Sequence, residues 1–137
     1  MSEQTRQSGH SDTTTEGIRI HVSAQLIPDQ SDPDEKRYAF AYRVRISNEG
    51  EAWAKLRSRR WVITDGDGEV RIVEGPGVVG AQPELGHGEG YEYMSGSLLP
   101  TPWGTMEGHY VMQRKDGSQF KAQIGRFFLT KDTTLVD

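Results

Sequence analysis

The stretch Tyr38-Ala-Phe-Ala-Tyr-Arg-Val-Arg-Ile46 decides the fold. Tyr38, Phe40, Tyr42, Val44 and Ile46 alternate with Ala39, Ala41, Arg43 and Arg45. Successive side chains of a strand point to opposite faces, so this segment has one apolar and one wet face. A helix would spread the same apolar residues around its circumference. Upstream, Ile18, Ile20, Val22, Ala24 and Leu26 repeat the pattern against Arg19, His21, Ser23 and Gln25. Downstream, Ala52 to Thr64 carries Trp53, Leu56, Trp61 and Ile63, whose parity switches after Leu56. One extra residue flips the inward face, so a bulge or bend is expected between Arg57 and Arg60.

The rest of the chain is similar in kind. Asp65-Gly-Asp-Gly68 reads as a hairpin turn into a strand from Glu69 to Glu74. Tyr91 to Ser95, Thr105 to Arg114 and Ser118 to Leu129 supply three more strands, the last two joined by a turn at Lys115-Asp-Gly117. Gly or Pro interrupts every candidate helix. About seven antiparallel strands with single-faced alternation predict two packed sheets, an all-β sandwich of the immunoglobulin or fibronectin type III kind.

Composition narrows the function classes. The chain has 137 residues, enough for one domain with its own core. It has no cysteine, which removes thiol nucleophiles, disulfides and Cys-zinc clusters. No segment is apolar enough for a secretion signal or a membrane span, so a cytoplasmic address is expected. Residues 1–16 are almost wholly polar and read as a disordered tail, with the domain over 17–130 and a frayed end at 131–137.

Motifs of chemical interest are few. Gly75-Pro-Gly-Val-Val-Gly80 has the form G-x-G-x-x-G, which in dinucleotide-binding folds joins a strand to a helix whose N-terminus holds pyrophosphate. Pro83, Gly86, Gly88 and Gly90 forbid a following helix here, so the bland reading is a connection between strands. A nest of backbone N–H groups that holds phosphate without a helix is the alternative. Asp65-x-Asp67-Gly68 opens like a calcium loop, but the sixth and twelfth positions hold Val70 and Pro76. His10, His21, His87 and His109 are too scattered for a local metal pair, and no metal site or cofactor is expected. No nucleophile elbow, Walker loop or His-Glu-x-x-His occurs, and no catalytic set is assigned.

Lys55, Arg57, Arg59 and Arg60 form a basic cluster before Trp61. It reads as a charged outer sheet face, as a surface for an acidic protein, or as a base-stacking surface. The net charge of −4 weighs against nucleic acid. Leu98-Leu-Pro-Thr-Pro-Trp-Gly104 places apolar side chains on a connection that two prolines hold stiff. Trp103 is there either as a plug over the sandwich end or as an exposed anchor.

Taken in order, these segments resemble a known family. Asp32-Pro33, Tyr38-Ala-Phe-Ala-Tyr42, Ser58-Arg-Arg-Trp61 with Ile63-Thr-Asp65, and Glu74-Gly-Pro-Gly-Val-Val-Gly80 with Gln82-Pro83 follow one another. Tyr91-Glu-Tyr-Met-Ser-Gly96, Thr101-Pro-Trp-Gly-Thr-Met-Glu-Gly108 and Phe127 complete the series. The set is similar to the ApaG family, also called CorD, over most of the chain. The resemblance implies a fibronectin-like sandwich without established enzymatic activity. It also implies links to cobalt resistance and magnesium efflux, and a use in eukaryotic relatives as a protein-interaction module. The family's glycine motif, matched here by Gly75, Gly77 and Gly80, has prompted proposals of pyrophosphate binding. Arg60 stands where relatives often carry His or Tyr, and Gly125-Arg126 replaces a proline-bearing stretch.

The functional expectation is therefore a non-enzymatic module that binds an unidentified protein, with nucleotide binding at Gly75 to Gly80 as the alternative. The expected contact residues are Gly75, Gly77, Val78, Val79, Gly80, Leu98, Leu99 and Trp103, with Arg57, Arg59 and Arg60 as a basic patch.

Overall fold

The computed structural model describes residues 9–131 and contains nine strands among them. They are β1 (His10–Thr15), β2 (Ile18–Leu26), β3 (Tyr38–Asn48), β4 (Ala54–Asp65), β5 (Val70–Pro76), β6 (Glu84–Leu85), β7 (Gly90–Leu99), β8 (Trp103–Arg114) and β9 (Gln119–Thr130). One sheet has the order β1-β2-β3-β7, and the other β5-β4-β8-β9, with β6 also pairing with β4. Every pairing between strands is antiparallel. The two sheets form the expected immunoglobulin/fibronectin type III-like sandwich.

The alternating segments behave as their period demands. Ile18, Ile20, Val22, Val44 and Ile46 are sealed from solvent, while Arg19, Arg43 and Arg45 face outward. Between the sheets, Trp61 stands edge-on to Phe127 (5.9 Å between ring centres) and to Tyr42 (5.4 Å), geometries that aromatic pairs favour. The parity switch in β4 is a register shift between Leu56 and Ser58, which leaves Arg57 as the extra residue. The turns at Asp65–Gly68 and Arg114–Gly117 form as the sequence indicates.

Two elements differ from the sequence reading. The first is β1, read as part of a solvated tail. His10–Thr15 pairs with β2 residue for residue, through a two-residue turn at Glu16-Gly17. Both turn residues have positive φ (47° and 87°), the requirement of the tight turn that matches strand twist. Residues 1–8 lie outside the described part, as do residues 132–137 of the segment expected to fray. The second is β6, whose two residues resume pairing along β4 at Ala54 and Lys55.

The long sides of the sandwich are unlike. On one, β1 packs across to β9. Ser11, Thr13 and Thr15 turn inward, and Gln123 N–H donates to Thr15 Oγ1 at 3.1 Å. Gly125 makes the approach possible, because a Cβ there would lie 2.6 Å from Thr13 Oγ1. On the other side, β5 and β7 are both sheet edges, bridged by a long hydrogen bond from Arg71 Nη2 to Ser97 Oγ (3.4 Å).

Candidate functional site along the open seam

The glycine motif belongs to this open side. After Pro76 the chain leaves β4, turns back on itself and rejoins as β6. Val78 and Ala81 exchange both backbone hydrogen bonds at 2.8 Å, closing a two-residue turn over Val79 and Gly80. The φ values are +39° and +83°. That conformation suits Gly80, but it strains Val79, whose branched Cβ crowds the carbonyl. Val78 is sealed inside, whereas Val79 is 59% exposed at the tip. A strained apolar side chain held in water is a poor solution for stability alone.

Backbone hydrogen bonds inside the loop occupy several of the donors that a phosphate nest would use. Gly77 N–H donates to Arg57 C=O (2.9 Å), Val78 N–H to Ala81 C=O, and Ala81 N–H to Val78 C=O. A phosphate nest needs such donors free and converging; these are committed to carbonyls, and a strand, not a helix, follows. Gly77 is required at its position, since its φ is +61° and a Cβ would overlap the Ala81 carbonyl oxygen.

The three arginines serve different purposes. Arg59 Nη1 donates to Pro76 C=O and Gly77 C=O, both at 3.0 Å, and so anchors the loop. Arg57, the bulged residue, offers its carbonyl to Gly77 and to Gln82 Nε2. Arg60 points to the other face and pairs with Glu74 at 3.3 Å. The expected basic patch is thus divided between two faces by strand alternation, which removes the continuous surface that stacked bases would need.

At the far end of the same seam lies Leu98 to Trp103. Thr101 Oγ1 accepts from Gly66 N–H (2.8 Å) and donates to Trp103 C=O (2.7 Å), tying this connection to the Asp65 turn. Leu99 is buried while Leu98 is 53% exposed. Trp103 stacks on Phe128 (6.3 Å, 19°) on the outer face of the sheet, rather than plugging the sandwich end, and stays 45% exposed. With Thr64, Thr105, Glu107 and Arg126 it lines an open groove of about 630 Å³. The two candidate loops are not one cluster. The seven residues of β5 separate them by about 20 Å at strand rise.

The edge strands that flank the seam carry residues that sequence reading missed, on the outer faces of their sheets rather than in the gap. Val70 and Ile72 on β5 are 58% and 49% exposed, and Met94 on β7 is 54% exposed. Of the large apolar side chains left exposed among the described residues, all but Trp103 lie on β5, β7 or the glycine turn. The available signal was Val70-Arg-Ile-Val73, apolar on both parities and therefore unable to bury all its apolar groups in a sheet with one inner face. Behind the seam, the Tyr93 and Tyr110 hydroxyls are hydrogen-bonded to each other, and burial pushes both, with Tyr42, above the ordinary tyrosine range.

Other candidates resolve simply. Asp65 Oδ1 accepts from the N–H groups of Asp67 (2.8 Å) and Glu69 (3.0 Å), so the acidic run is a turn. Among the described residues, no three His, Asp or Glu side chains gather to hold a metal. Among the described residues, no helix is long and apolar enough to cross a membrane.

The comparisons with known proteins agree with this architecture. Residues 28–114 match the model of the ApaG domain. The chain belongs to the ApaG family. It is 50% identical to Protein ApaG of Aromatoleum aromaticum over 86% of this chain and 93% of that protein. It is 51% identical to Protein ApaG of a Methylobacterium species over 84% and 88%. The crystal structure of the putative ApaA protein from Bordetella pertussis superposes with a TM-score of 0.81 at 42% identity, covering 91% of this chain and 97% of that one. ApaG-family relatives thus extend along nearly the whole domain, including strands outside the 28–114 match.

Proposed function

We propose that this ApaG-family chain is a non-enzymatic binding module whose open seam, from the Val79 tip to Leu98, engages a protein partner in the cytoplasm. The observation that supports it most is that the large exposed apolar side chains lie on the two unpaired edge strands that flank the seam and on a strained turn. Strand edges left unpaired, with apolar side chains beside them, offer a ready surface for another chain. Any bearing on magnesium or cobalt homeostasis then runs through the partner. The nucleotide alternative has less support, because the Gly77, Val78 and Ala81 N–H groups already donate to carbonyls.

The reading is tested by capture from lysate with wild type, Val79→Asp, Leu98→Asp, and Arg45→Gln on the outer face of the first sheet as control. Loss of the same captured protein in the two seam variants, but not in the control, is the expected result. Identical captures from all four would remove the seam from the account. Calorimetric titration with a dinucleoside polyphosphate should give no saturable heat.

A further inference from the structure

β5 is the exposed edge of its sheet, and among the described residues nothing pairs with its outer side. Such an edge offers a row of backbone N–H and C=O groups to any extended chain laid beside it. Pro76 and the glycine hairpin obstruct one end, which leaves Val70 to Glu74 accessible.

The two faces of this short strand differ in chemistry. Val70 and Ile72 share one face, beside Thr64 and Val62 of β4, and provide apolar contact area. Arg71 lies on the opposite parity, the side where Arg59 reaches the loop. Arg57, Arg59 and Arg71 have no anionic partner among the described residues, whereas Glu74 is already paired with Arg60. Set against Asp67 and Glu69 at the turn before β5, these three arginines still leave a local cationic excess, greatest toward the glycine-loop end, in a chain of net charge −4.

A second copy of β5 fits poorly. A two-fold axis at Ile72 would set Val70 against Glu74 and Arg71 against Val73, forming no ion pair. An axis at Val70 would set Glu69 against Arg71 but leave a ladder of only three residues, because the Asp65–Gly68 turn ends the extended chain there. Complementarity instead selects a strand with apolar side chains on one face and carboxylates on the other. Resting on the binding-module reading, we propose that the partner contributes an extended segment of alternating apolar and acidic residues, which adds to the sheet antiparallel to β5.

The test is a titration of the ¹⁵N-labelled full chain with an end-blocked heptapeptide of alternating valine and glutamate. The same peptide with lysine for glutamate serves as comparison. The expected result is saturable amide shifts at Val70 to Glu74, with binding at least about ten-fold weaker for the lysine peptide and for Arg71→Glu, a difference of about 1.4 kcal/mol. Arg71 is exposed, so a well-dispersed spectrum of the variant shows that its fold is kept. No saturation, shifts centred elsewhere, or equal binding of both peptides would each overturn the proposal. If lysate capture still depends on Val79 and Leu98 in that case, the module stands and only the strand addition falls. If capture is indifferent to those residues while the peptide docks on β5, the strand addition stands and the wider reading falls.

Discussion

The two long sides of this sandwich solve the same problem in opposite ways. Where β1 meets β9, small and hydroxyl side chains let the sheets approach, and Gly125 removes the last obstacle. Where β5 faces β7, no further strand pairs with either edge among the described residues, and apolar side chains on the outer faces of these strands remain in water. A domain built only for stability would treat both sides like the first, since burying a large aliphatic side chain contributes roughly 1.5–3 kcal/mol. On the binding-module proposal, the open edge belongs to the chain's work rather than to its folding.

The largest effect is expected inside the open seam. Gly77→Ala should cost about 2–4 kcal/mol, because left-handed backbone and overlap with Ala81 act together. Gly80→Ala, with positive φ but nothing within 4 Å of the new Cβ, should cost only about 1 kcal/mol. Urea melts of the two variants check the difference; equal losses would mean that strain, and not the tight packing of this loop, governs it. On the closed side, Gly125→Val should cost about 1–3 kcal/mol by prising β1 from β9. A transition midpoint matching wild type would show that the two strands barely depend on one another.

A gain is expected at the tip. Val79→Asn creates the Asn-Gly pair that this turn favours and should raise stability by about 1 kcal/mol. Partner capture by the same variant should weaken. A stabler variant that captures as well as wild type would make the exposed valine incidental.

The smallest effect near neutral pH concerns the tyrosines. Burial holds Tyr42, Tyr93 and Tyr110 above the ordinary value of about 10. Their unfolded forms release protons first, so the stability they contribute is complete below pH 10 and is lost as pH rises beyond it. Tyr93→Phe should flatten that alkaline decline, as followed by denaturant melts between pH 9 and 11. An unchanged slope would mean that groups other than this buried pair set the alkaline limit.

Much of the fold was legible residue by residue, because period-two alternation in β2 and β3 reports directly which face is buried. The β4 bulge was legible for the same reason, as a break in parity. β1 was not: His-Ser-Asp-Thr-Thr-Thr carries no apolar side chain, and its inward face is made of hydroxyls. The cue was the Glu16-Gly17 turn. The candidate site was half legible. Gly77, Val79 and Leu98 lie beside the open edges, but Trp103 stacks on Phe128 of β9, Val78 and Leu99 are core, and Arg59 and Arg60 face apart.

By itself, the order of apolar and polar residues determined a sandwich of antiparallel strands, the parity break in β4 and the turns that punctuate the chain. These are local consequences of side-chain direction along an extended backbone. Which edges meet and which stay open depended on residues far apart in the chain: Gly125 against Thr13, Arg59 against Gly77, Val70 within reach of Leu99. Only packing two twisted sheets together brings such pairs into contact, and so only the tertiary structure decided where the unpaired edge would lie.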